Sequence, residues 1–283
     1  MRRRWAAGAA ITVCLALGGL PVGGQSPTPG PAGGVHIEVL SDRAVIPLEA
    51  LPSDTDHAAL WRDTRVPGMS ATYGSFAPKS WAQVSYVLHG TATATDNAKE
   101  RGWLPDGSIE DVAAGTEFSL RAGETWLSYN GGAGFRFENG PEPFVVLSVG
   151  VGDNLAPAVQ PAPVTGETTD LFTFTFPPRD QLQAWLSAPI AVTFQRVTLD
   201  PGASLVLETE DIPMLTFTGV ESGSVRWGHS SSAEPDPQMT GSVMSEGMAA
   251  YRSTPGSDRV VVVANAAEEP AVLLQAVLSP ASE

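Results

Sequence analysis

Few residues in this chain have the type and spacing to do chemistry. Glu208 and Glu210 stand two positions apart. On a strand both carboxylates face one side, where they could offer oxygen ligands to a hard cation such as Ca²⁺ or Mn²⁺. On the alternative reading that edge faces solvent and the two acids only add to the surface charge; a one-residue change of register flips the face. A second gathering is aromatic: Trp81, Tyr86, Trp126, Tyr129, Phe135 and Phe137, with Gln83 and Arg136 as polar neighbours. A mouth lined in this way suits an apolar or sugar-like ligand held by stacking and a few hydrogen bonds, and a packed core would use the same residues.

Other constellations are missing. The histidines His36, His57, His89 and His229 are nowhere at metal-ligand spacing, and His89 precedes Gly90, where a polar strand-end residue is ordinary. No Gly-x-Ser-x-Gly elbow and no phosphate-binding loop with its lysine occurs.

The elements that must position these residues start behind an export signal. Met1-Arg2-Arg3-Arg4, the apolar stretch from Trp5 to Leu20 and the small residues Val22-Gly23-Gly24 read as a signal peptide over residues 1–24; the alternative is a retained N-terminal anchor. Cleavage removes Cys14, the only cysteine, so stability is expected from packing and not from disulfides. The formal charge of −15 becomes more negative by the three arginines lost. Such a chain repels phosphate backbones and anionic headgroups, which argues against nucleic acid and, after cleavage, against a membrane as partners. A secreted or extracytoplasmic protein is expected, with a small molecule or another protein as its partner.

Residues 25–34, rich in proline and glycine, read as a spacer. Beyond them the chain repeats itself over about 130 residues, the size of a small domain. Pro67-Gly68, Gly90, Gly123, Asn139 and Glu142-Pro143 recur in order as Pro201-Gly202, Gly223, Gly247, Asn265 and Glu269-Pro270. The expected units are residues 35–152 and 171–283, joined by a linker over 153–170, with a surface loop over 230–239. Period-two runs such as 83–88, 135–138, 172–176 and 192–199 are strand signals. Helix is expected only at 55–63 and 180–188.

With these turn residues on the page, the chain resembles the cupin family, whose first motif holds two histidines and a glutamate between a Pro-Gly and a closing glycine, and whose second runs from glycine through a further histidine to asparagine. The resemblance implies an all-β fold of two tandem jelly-roll barrels with few short helices, barrels that often pair into oligomers, and enzymes such as oxygenases and isomerases among the relatives. The family's ligand positions fall here on Gly74, Phe76, Gln83 and Phe135 in the first copy and on Glu208, Glu210, Thr216 and Val261 in the second. The expectation is therefore a binding protein without a cofactor; the alternative is a metal-dependent enzyme with a divalent cation on Glu208 and Glu210.

Overall fold

The computed structural model describes residues 34–51, 57–72, 81–129, 135–152, 166–175, 188–207, 214–230, 241–254 and 260–281. Its regular structure is β, in four antiparallel sheets. The largest runs in the order β12 (Glu167–Thr175), β2 (His57–Arg65), β11 (Phe144–Gly152), β4 (Trp81–His89), β9 (Thr125–Ser128), β6 (Glu100–Trp103), β7 (Ile109–Val112). Opposite it stands a sheet of β3 (Ser70–Thr72), β10 (Phe135–Asn139), β5 (Thr91–Asp96) and β8 (Glu117–Arg121). These two enclose the first barrel.

The second barrel repeats the plan. One sheet holds β1 (Val35–Ile46), β13 (Ile190–Leu199), β20 (Ala271–Pro280), β15 (Met214–Ser222) and β18 (Ala249–Thr254). The other holds β14 (Ser204–Leu207), β19 (Val260–Ala264), β16 (Ser224–Ser230) and β17 (Gly241–Ser245). The sheets cross the division expected from sequence twice. Strand β1 pairs with β13 of the second copy, while β12, whose first residues fall in the stretch expected as linker, pairs with β2 of the first.

Helix is scarcer than expected. Among the described residues a single 3-10 turn, Leu48–Ala50, is the whole of it. The stretch expected as helix at 55–63 is largely strand β2; residues 180–187 lie outside the described residues, as do the signal peptide, most of the spacer and most of the 230–239 loop. The cause of the misreading is burial on both faces. Ala58, Ala59, Leu60 and Trp61 are all buried, which erases the alternation by which a strand is recognised.

The large sheets of the two barrels share one apolar layer. Leu60, Val84, Leu127, Leu147 and Val149 from one side pack with Val192, Phe194, Phe217, Leu274 and Leu278 from the other. Each such fully buried side chain contributes about 2 kcal/mol. The opposite faces of the same strands look into the barrels. There, Phe137, Phe144, Val146, Phe118 and Trp126 fill one end of the first, and Val197, Val220, Val263 and Leu273 one end of the second.

The repeated turn residues close these filled ends. Gly90 and Gly223 hold φ of 79° in both copies, and a methyl at Gly90 would overlap the carbonyl oxygen of Pro143, while one at Gly223 would crowd that of Pro270. The two asparagines tie neighbouring strands. Asn139 donates from Nδ2 to the Val66 carbonyl at 2.9 Å; Asn265 donates to Leu199 (2.8 Å) and Glu269 (2.8 Å) and accepts from the Ala267 amide (2.9 Å). Replacing Asn265 with alanine therefore strands three backbone partners, and Asn265→Ala is expected to cost about 2–4 kcal/mol in denaturant unfolding, more than Asn139→Ala.

Candidate functional site

Polar side chains collect at the other end of the first barrel, on the inner face of its large sheet. Residues paired across an antiparallel ladder share a face. One row runs Gly150, Gln83, Ser128, Glu100 across β11, β4, β9 and β6, and the next runs Trp61, Ser148, Ser85, Trp126, Gly102. Gly102 is required here because a Cβ would stand 2.8 Å from the Trp126 ring.

Hydrogen bonds join the rows into one network. The Gln83 amide donates to Ser85 Oγ at 2.9 Å, and the hydroxyls of Ser85 and Ser148 lie 2.9 Å apart. Ser128 Oγ donates across the interior to Asp96 Oδ2 of the facing sheet at 3.4 Å, while the Ala98 amide binds Asp96 Oδ1 at 2.9 Å. Glu100 is 4% exposed and hydrogen-bonds to Asp96 and Ser128. A contact between two carboxyl groups needs a proton, and burial, then the neighbouring Asp96, push the Glu100 pKa well above the ordinary range. Its Oε1 has no hydrogen-bond partner among the described residues. Deeper in, Arg65 and Asp63 form a buried ion pair at 3.5 Å with the guanidinium 4.0 Å over the Phe137 ring, which anchors the filled end.

The aromatic mouth expected from sequence is not assembled. Tyr86 lies on the opposite face of β4 from Gln83 and packs between the barrels, its ring 6.1 Å from Phe194. Tyr129 belongs to the same inter-barrel layer, with Lys99 Nζ 5.2 Å over its ring. Trp126 and Phe137 are core: Trp126 lies 4.8 Å from Phe118 and donates its indole N–H to Glu124 Oε2 at 3.0 Å. Phe135 packs beside that core, and Arg136 is exposed on the outer face. Trp81 ends β4, but its side chain lies outside the described part. Of the expected residues, Gln83 alone joins this polar network, where it is half-buried. Asp96, Glu100, Ser128, Ser85 and Ser148 stand at no motif position; an acid at the start of the strand Glu100–Trp103 is the signal the sequence offers for them.

The equivalent rows of the second barrel run Gln195, Gln275, Thr218, Ala250 and Thr193, Val277, Thr216, Arg252. Thr216 and Gln83 each stand seven residues before their turn glycine, and Arg252 and Ser128 each five residues after theirs. Glu208 and Glu210 lie outside the described residues. Gly74 and Phe76 do so too; the four other counted ligand positions hold Gln83, Phe135, Thr216 and Val261, and no three His, Cys, Asp or Glu converge among the described residues. What is described of the family's metal positions thus does not fit a metal.

No family model matches the chain, and no curated protein matches it by sequence. Solved structures do. The chain is similar to oxalate decarboxylase of Bacillus subtilis, at 13% identity over 86% of this chain and 79% of that one, with a TM-score of 0.41. It is similar to the Lactobacillus farciminis oxalate decarboxylase (11%, 90% and 84%, TM-score 0.40) and to a cupin 2 conserved barrel domain protein from Leptotrichia buccalis (9%, 90% and 92%, TM-score 0.30). One expectation is corrected here. The chain was expected to work without a cofactor, whereas the Bacillus subtilis structure to which it is similar is described by its Mn(II) centres. The chain is thus a doubled β-barrel, closed in both copies by the same Pro-Gly, Gly and Asn turns.

Proposed function

We propose that the protein is exported and binds a small, uncharged hydroxyl or amide compound inside its first barrel. The observation that carries this is Glu100: a buried carboxyl held by Asp96 and Ser128 on one oxygen, with the other oxygen an unused acceptor. A buried acceptor without a donor costs on the order of 1–3 kcal/mol, which a ligand O–H or N–H offsets. Burial that disfavours the charged form of Glu100 also favours an uncharged guest over a second anion. The neighbouring Gln83, Ser85 and Ser148 supply neutral donors and acceptors along the same wall. Export rests on the basic and apolar start of the chain.

Intrinsic fluorescence reads this site through Trp61, which is buried on the same inner face beside Ser148. Titration with polyols, monosaccharides and simple amides should give a saturable change that is lost in Trp61→Phe, with affinity reduced tenfold or more in Gln83→Leu and Glu100→Leu. A response to none of these compounds, or one unchanged in Glu100→Leu, would overturn the reading.

The Glu100 proton also sets a pH dependence. Below the ordinary carboxyl range, folded and unfolded chains both carry it. Above that range the unfolded chain releases it while the folded chain keeps it, so this group's contribution to stability is lost as pH rises toward the raised folded value. Thermal midpoints of Glu100→Gln should therefore gain on those of the unsubstituted protein as pH increases and level off above the folded pKa. Parallel profiles would count against a buried neutral acid.

A further inference from the structure

We infer that the second barrel holds a short-chain monocarboxylate against Arg252. The side chain of Arg252 is only 7% exposed, and its Nη1 and Nη2 atoms are buried without a hydrogen-bond partner among the described residues. It pairs across the ladder with Thr216, so it points to the same side as Thr216, Thr218 and Gln275, which is the barrel interior. The inference is independent of the first barrel.

A buried guanidinium stays protonated although burial lowers its pKa, because its ordinary value lies far above neutrality. Left uncompensated, such a charge carries a penalty of several kcal/mol. The fork of two terminal nitrogens matches the two oxygens of a carboxylate. Beside it a relay is already built. Gln195 Nε2 donates to Gln275 Oε1 at 2.6 Å, and Gln275 Nε2 donates to Thr218 Oγ1 at 2.9 Å. Thr218 accepts there and has its own hydroxyl proton to offer, as an anion requires.

The remaining walls set the size and charge of the guest. Leu207, Val261 and His229 form one row on the inner face of the opposite sheet, with Val261 buried and His229 exposed at the row's end, so an apolar tail meets Leu207 and Val261. Of the other described arginines of this barrel's large sheet, Arg196 lies on its outer face and pairs with Glu38 and Glu221, and Arg43 is exposed. One guanidinium and an apolar wall call for one carboxylate and a short hydrocarbon body.

Isothermal calorimetry of the full exported chain with acetate, propionate and butyrate tests this, with inorganic phosphate and chloride as controls. Saturable binding is expected for the carboxylates, tightening with chain length, reduced a hundredfold or more in Arg252→Met and about tenfold in Arg252→Lys, and unchanged in Glu100→Leu. Arg252→Met removes a buried charge and should melt no lower than the unsubstituted protein in carboxylate-free buffer. If it fails to fold, Arg252→Lys alone decides the matter. No saturable carboxylate binding, equal binding by inorganic phosphate, or binding that survives both Arg252 substitutions would overturn the inference.

Discussion

The structure depends on one apolar layer that the large sheets of both barrels share. Phe194, Phe217, Leu147 and Leu274 bury there completely, and the exchanged strands β1 and β12 extend each sheet with chain from the other copy. Neither barrel could expose that face to water without losing the contribution of every residue in it. The consequence is directional. With the outer faces committed to each other, the inner faces are the surfaces left to differ between the copies, and each divides into a filled end and a polar end.

The filled ends are alike because their turns leave little freedom. Gly90 lies against Pro143 as Gly223 lies against Pro270, and the amide of each asparagine binds the strand beyond it, Asn139 to Met69 and Asn265 to Ala203. The polar ends have diverged on a common frame. The contact between Ser85 and Ser148 in one barrel reappears as Gln275 to Thr218 in the other, and where the first has Ser128 facing a carboxyl pair, the second has Arg252. Strand β6, which carries Glu100, has no counterpart among the described residues of the second barrel. A duplicated scaffold thus carries a carboxyl pair in one interior and a guanidinium in the other.

Much of this was legible in the sequence and some was not, for physical reasons. The turn framework could be read because Pro-Gly, Gly and Asn mark backbone shapes that few residues adopt. The exchange of β1 and β12 could not, since pairing with a distant strand leaves no local pattern. Tyr86 and Gln83 looked like neighbours in one pocket, yet an odd spacing along β4 sends them to opposite faces. Glu100 and Arg252 are not legible there, because a single charge in a strand looks like a solvated residue until burial is known.

The central claim is that burial and the neighbouring Asp96 keep the proton on Glu100 in the folded protein at pH values where a free glutamate has lost it. Infrared difference spectra between the unsubstituted protein and Glu100→Gln test it directly just above the ordinary carboxyl range. The account predicts the C=O stretch of a protonated acid, shifted on deuteration and absent in the variant; a carboxylate signal at that position would contradict it.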